Sequence, residues 1–144
     1  MKIMIKKLRA DAVIPTHGSE YSAGYDLYAC TDCDVAVPPH GTVMIGTGLS
    51  VAIPDGYFGA IFARSGLAAK SSLRPANCVG VCDSDYRGEY TVALHNDSDT
   101  PKTVKCGERI AQLVILPYMT AEFEESDSLP ETVRGAGGFG STGN

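Results

Sequence analysis

Asn77-Cys-Val-Gly-Val-Cys-Asp-Ser-Asp-Tyr-Arg-Gly-Glu-Tyr90 is the stretch on which the fold turns. Val79, Val81 and Cys82 form an apolar run, a charged turn follows, and Tyr90, Val92 and Leu94 then alternate with polar residues. That pattern predicts a strand, a tight turn and a second strand folding back as a hairpin. Asp83 and Tyr86 lie at its mouth. A carboxylate there can hold and polarise a water, and a flat ring can lie against a sugar or a base. The competing account is an acidic turn that is simply solvated, since turns favour Asp and Ser for their own backbone bonding.

The period of two continues on both sides. Residues 1–8, 33–37, 42–51, 57–63, 91–96, 102–104 and 110–117 all read as short β-rich runs. Turn signals separate them at Pro38-Pro39-His40-Gly41, Ile53-Pro54-Asp55-Gly56, Asn96-Asp97-Ser98-Asp99 and Lys105-Cys106-Gly107. One short helix is expected, capped by Ser65 and running through Leu67-Ala-Ala-Lys-Ser-Ser-Leu73. The expected fold is all-β, a sandwich or distorted barrel of the jelly-roll kind. Residues 1–121 are read as one β domain. From residue 122 the composition turns acidic and then glycine-rich, which predicts a mobile arm over 122–144.

A chain of 144 residues can bury a core without cross-links. Its net charge of −5 argues against binding duplex nucleic acid, which calls for a basic face. A local cluster of Arg and backbone N–H groups can still hold one anionic metabolite. No apolar run approaches the roughly 18 residues of a membrane span. Five cysteines, an odd number, and no signal-peptide pattern predict a reducing cytoplasmic location. Cys30-Thr-Asp-Cys33 has the spacing of half a zinc site, but His17, His40 and His95 do not complete it. Cys30 is expected inside and Cys33 near a turn.

Four further segments carry candidate chemistry. In Ala63-Arg-Ser-Gly-Leu-Ala-Ala-Lys70, Arg64 and the helix start at Ser65 and Gly66 can face a phosphate; an ordinary cap with a surface Arg is the plainer account. In Ser22-Ala-Gly-Tyr-Asp-Leu-Tyr-Ala29, Asp26 sits in an apolar stretch, either bonding amides or holding Mg2+ through water. In Gly107-Glu-Arg-Ile-Ala-Gln-Leu-Val114, Gln112 alternates with Ile110 and Val114 and needs polar partners. Arg134-Gly-Ala-Gly-Gly-Phe-Gly-Ser-Thr-Gly143 is either a flexible terminus or a wrap whose N–H groups, Arg134, Ser141 and Thr142 grip phosphates while Phe139 stacks on a base.

In order and spacing, these five segments resemble the motif set of the homotrimeric deoxyuridine triphosphate nucleotidohydrolases (dUTPases), from residue 20 to the end of the tail. The resemblance implies the jelly-roll fold and Mg2+-dependent hydrolysis of dUTP to dUMP and pyrophosphate, by water attack on the α-phosphorus. That activity limits uracil in DNA and supplies dUMP for thymidylate synthesis. Asp83 would be catalytic. Arg64, Ser65 and Gly66 would line the triphosphate, the Ser65 hydroxyl reaching the leaving oxygen. Asp26 would hold Mg2+ in its outer sphere, and Gln112 would serve the α-phosphate or a metal-bound water. Asn77 and the backbone of Gly80, Val81 and Cys82 would meet the uracil edge, with Tyr86 under the sugar. An arm bearing Arg134, Phe139, Gly140, Ser141 and Thr142 would close over a neighbouring subunit's site. Arg109 would pair with a carboxylate across a subunit contact. Cys82 stands where the family more often has a branched aliphatic residue. Two alternatives remain: a dCTP deaminase, which would want a Glu where Ala93 stands, and a nucleotide-responsive regulatory protein that uses the same pocket as a switch.

Overall fold

The computed structural model describes residues 1–138. The chain runs β1 (Met4–Lys7), β2 (Tyr25–Tyr28), β3 (Val35–Val37), β4 (Thr42–Gly46), β5 (Leu49–Ala52) and β6 (Tyr57–Phe62). It continues through α1 (Ser65–Ser71), β7 (Leu73–Pro75), β8 (Val79–Cys82), β9 (Thr91–Asn96), β10 (Lys102–Val104) and β11 (Arg109–Pro117). Two antiparallel sheets dominate, ordered β2-β11-β6-β8 and β4-β9-β7, flanked by the ribbons β1-β5 and β3-β10. This is the expected all-β, jelly-roll-like architecture with one short helix. No helix among the described residues is long and apolar enough to cross a membrane.

The core lies where the inward faces meet. Leu27 from β2, Ile45 from β4, Leu94 from β9, Val104 from β10 and Ile110 from β11 are fully buried in one cluster. Tyr90, Val92 and Leu94 bury alternate positions, as their spacing predicts. Leu67 points the helix onto the same cluster. Residues 118–138 carry no helix or strand.

The hairpin expected around Asp83 is not there. β8 pairs with β6, while β9 pairs with β4 and β7, so the chain crosses from one sheet to the other between Cys82 and Thr91. Alternation fixes which face a strand buries and leaves its partner open. The eight residues of this connection, 83–90, are too many for a tight turn. Residues 42–51 likewise split into β4 and β5, because Gly48 takes a left-handed conformation (φ +67°) that redirects the chain.

The helix differs at both ends. Arg64 is the cap residue, extended at φ −85°, ψ 125°, with no side-chain cap bond, and Ser65 is already helical. Ser72 closes the helix in a left-handed conformation, its N–H donating to Ala68 O and Leu67 O. Leu73 then opens β7, pairing with Asn96.

Candidate active site

Seven of the sequence-derived site residues line two clefts on the four-stranded sheet; Asn77, Gly80, Cys82, Tyr86 and Arg134 line neither. The first, about 570 Å³, is lined by Asp26, Arg64, Ser65, Gly66, Arg109 and Gln112, with Gly24 at its wall. Arg64 Nε donates to Asp26 Oδ1 at 2.7 Å, and Arg109 Nη1 donates to Asp26 Oδ2 at 3.2 Å. Two guanidiniums thus share one carboxylate, and a net positive charge remains to attract an anion. The exposed Ser65 and Gly66 open the helix beside it, with no acidic residue in the first turn.

A β-bulge assembles this cleft. The pairing of β11 with β2 shifts between Arg109 and Ala111, leaving Ile110 extra and buried. Simple alternation would place Arg109 opposite Gln112. The bulge turns it onto the face that carries Asp26 and Gln112, within its own chain. Sequence reasoning assigned Arg109 to a carboxylate across a subunit contact and so missed it here; nothing in Gly107-Glu-Arg-Ile signals the bulge.

Gln112 Nε2 donates to Ala63 O at 2.8 Å. A Cβ at Gly24 would collide with Gln112 Oε1, so glycine is what leaves the amide its space. Among the described residues no group of three or more His, Cys, Asp or Glu could hold a metal ion. Both Asp26 oxygens are already engaged by arginine. The donor set fits Mg2+ only as an ion carried on a ligand's own phosphates, with Asp26 behind the water shell.

The second cleft, about 550 Å³, is lined by Phe58, Val81, Asp83, Ser84, Asp85 and Tyr118. Asp83 is exposed, and its carbonyl accepts the Tyr86 N–H at 3.2 Å, closing a turn. Arg87 Nη1 donates to Ser84 O at 2.5 Å and Tyr86 O at 2.9 Å. The half-exposed Tyr86 ring stacks on buried Tyr90, centroids 6.1 Å apart, and its hydroxyl donates to Glu89 O at 3.0 Å. Burial pushes the Tyr90 hydroxyl and the Cys82 thiol above their ordinary pKa values, so both stay neutral. Among the described residues the buried Tyr90 hydroxyl has no hydrogen-bond partner.

β8 is the edge strand of its sheet, so backbone donors and acceptors along Gly80, Val81 and Cys82 have one side unpaired by any strand. Gly80 and Cys82 face inward, while Val79 and Val81 face out. Asn77 is exposed just before it, and its carbonyl accepts the Val79 N–H at 2.6 Å. Ala93 lies on β9 opposite Met44, and no carboxylate stands at that position. Arg134 bonds within its own turn, Nε to Gly137 O at 2.8 Å. Phe139, Gly140, Ser141 and Thr142 lie outside the described residues.

The two clefts are apart in one chain. Asp26, Gln112, Phe62 and Val79 form one row across β2, β11, β6 and β8. Asp83 lies four residues beyond Val79, about 13 Å further at about 3.3 Å per residue.

Comparison with known proteins identifies the family and the fold. The dUTPase family model matches residues 10–143. The deoxyuridine 5'-triphosphate nucleotidohydrolase of Arabidopsis thaliana is 52% identical over 139 residues, covering 96% of this chain and 81% of that protein. A probable deoxyuridine 5'-triphosphate nucleotidohydrolase of Schizosaccharomyces pombe is 47% identical over 143 residues, covering 99% of both. The dUTPase of Staphylococcus bacteriophage 80alpha, solved with dUPNHPP, superposes with a TM-score of 0.90 at 29% identity, covering 99% of both chains. Fold and sequence together define an all-β nucleotidohydrolase. The chain belongs to the dUTPase family.

Proposed function

We propose that this chain hydrolyses dUTP to dUMP and pyrophosphate in a homotrimer whose sites are each built from more than one subunit. The observation that carries the shared site is the separation of Asp83 from Arg64 within one chain. Asp83 stands about 13 Å beyond the Gln112–Phe62–Val79 row on one side, and Arg64 follows Phe62 on the other, so a carboxylate acting at the α-phosphorus and an arginine gripping the same triphosphate do not meet within one chain. Two neighbouring chains, one offering its Asp83 loop and the other its arginine cleft, bring them together.

In that arrangement Asp83 orients a water and takes its proton as the water attacks in line. Arg64, Ser65, Gly66 and Gln112 bind the phosphate oxygens and stabilise the charge that grows on them. Asp26 keeps Arg64 and Arg109 aimed at the ligand. Mg2+, when bound to the phosphates, neutralises their charge and fixes their conformation. Asn77 and the free edge of Gly80, Val81 and Cys82 pair with the uracil edge; a base of the wrong donor pattern leaves those groups unpaired, which is a strong rejection. Tyr86 lies under the sugar and excludes a 2′-hydroxyl. Arg134, Phe139, Gly140, Ser141 and Thr142 close over a neighbour's site, and the ordering they need makes closure depend on ligand. Five cysteines, all free, fit a reducing intracellular compartment. There the reaction keeps uracil out of DNA and provides dUMP for thymidylate synthesis.

Pyrophosphate release from dUTP, dCTP, dTTP and UTP, with and without Mg2+, tests the chemistry. Release confined to dUTP and dependent on metal supports it; ammonia from dCTP overturns it. Subunit mixing tests the shared site. Asp83→Asn and Arg64→Ala chains, each inactive, are unfolded and refolded together in equal amounts. Random assembly recovers about a quarter of the wild-type sites when Asp83 and Arg64 come from different chains. Recovery at background level means each chain closes its own site.

A further inference from the structure

One carboxylate of the 83–90 connection is turned inward, and neither the fold nor the proposed chemistry above uses it. Glu89 is half-buried, and its Oε1 accepts the Gly48 N–H at 2.7 Å. Among the described residues it forms no ion pair. The turn between β4 and β5 is shaped to receive it. A Cβ at Gly46 would run into the carboxylate, and Gly48 presents its N–H from a left-handed conformation in which a Cβ would lie 2.8 Å from Ala12 Cβ and Cys30 Sγ. The side chain of Glu89 is therefore anchored to the turn, while its main-chain carbonyl holds the Tyr86 hydroxyl at 3.0 Å. Neighbouring bonds fasten the same stretch: Thr47 Oγ1 donates to Tyr90 O at 2.6 Å, and Ser50 Oγ to Arg87 O at 2.7 Å. A half-buried charge held by a backbone N–H, with no cation beside it, fixes geometry more than it adds stability.

We propose that Glu89 is the positioning residue for Tyr86: anchored to the β4–β5 turn, it sets the height and tilt of the ring where it stacks on Tyr90, and through the ring the preference for a 2′-deoxy sugar. The inference rests on Tyr86 being the residue under the sugar. A Glu89→Gln side chain keeps an acceptor for the Gly48 N–H, a Glu89→Asp side chain is one methylene too short to reach it, and Glu89→Ala removes it.

The test is the ratio of kcat/KM for dUTP to that for UTP in the wild type, Tyr86→Ala, Glu89→Ala, Glu89→Asp and Glu89→Gln. The ratio is expected to narrow by about tenfold in the Ala and Asp variants, the scale of one lost charge-assisted hydrogen bond, and to be largely kept by Gln. A merely structural Glu89 lowers both rates by one factor and leaves the ratio at its wild-type value, which overturns the proposal. Where Glu89→Ala does not fold, Asp against Gln decides the same question. An unchanged ratio in Tyr86→Ala overturns the sugar contact itself. A ratio narrowed in Tyr86→Ala but intact in Glu89→Ala and Glu89→Asp overturns only the role of Glu89.

Discussion

Replacing Asp26 with Asn strikes the cationic cleft at its centre. The variant keeps the shape of the side chain and one acceptor, but turns an N–H₂ toward the second guanidinium and removes the charge that both arginines share. Breaking a fully buried ion pair by removing one partner costs about 3–5 kcal/mol, against about 0.2–1 kcal/mol for an exposed pair. Asp26 is 14% exposed and Arg64 26%, so their 2.7 Å contact lies toward the buried end. Arg109 is 51% exposed, and its 3.2 Å contact lies toward the other. The two together are worth about 2–3 kcal/mol on these scales. At about 2–4 °C per kcal/mol, the unfolding midpoint should fall by about 8 °C.

The consequence for catalysis follows from what the carboxylate does. Both Asp26 oxygens are occupied by arginine, and in the proposed function Asp26 aims the groups that grip the phosphates. Its loss should lower kcat/KM for dUTP by about 10- to 100-fold, the worth of one charged hydrogen bond no longer directed at the ligand. The assay pairs thermal unfolding, at one fixed protein concentration because assembly shifts apparent stability, with steady-state kinetics across a Mg2+ titration. An Asp26→Asn enzyme with wild-type midpoint and wild-type kcat/KM would falsify the two-arginine account. A kinetic defect fully erased by excess Mg2+ in a variant with a wild-type midpoint would refute it differently, by leaving Asp26 no part in holding the arginines.

Two further outcomes are expected. Gly24→Ala should displace the Gln112 amide from Ala63 O, destabilising the chain by about 1 kcal/mol and lowering dUTP turnover. Combined with Gln112→Ala it should add little to either single change; full additivity would show that Gly24 does not act through Gln112. Truncation before Arg134 should leave the proposed trimer intact by light scattering while removing most activity, and a fully active truncation would show that the tail takes no part.

The sequence carried the fold class because burial alternates along its strands, and Tyr90, Val92 and Leu94 bury the faces their spacing assigned them. The turn at Pro54-Asp-Gly56 was equally legible: Gly56 takes φ +80°, and the Tyr57 N–H returns to Pro54 O at 3.2 Å. Partner choice was not legible. A period of two says that Cys82 and Val92 point inward; it does not say that they belong to different sheets, a matter settled by long-range packing. The bulge at Ile110 escaped for a related reason. Ile110 and Ala111 are both apolar and both buried, so no polar residue at an apolar position announces the slip that carries Arg109 to Asp26. Ser65 has the chemistry of a cap, yet the strand enters the helix one residue earlier than a capping pattern suggests. Gly24 and Glu89 were visible as letters, but their meaning depends on Gln112 and Gly48, which lie far away in sequence.

Charge placement explains how an acidic chain can serve a polyanion. Residues 122–144 contain five carboxylates, Glu122, Glu124, Glu125, Asp127 and Glu131, and a single arginine, Arg134, so all but one unit of the net −5 charge resides there. The body of the chain is close to neutral, and its arginine cleft is not embedded in a field that would repel phosphates. Along the tail, the carboxylates all precede Arg134, and the glycines, Ser141 and Thr142 all follow it. A tail approaching a triphosphate meets repulsion along its first half and attraction only at its end. Repulsion of that kind is screened beyond about 8 Å at physiological ionic strength, so it acts on the carboxylates only near the ligand. The linear order of charges thus permits one part of the arm, from Arg134 onward, to touch phosphate while keeping the rest away.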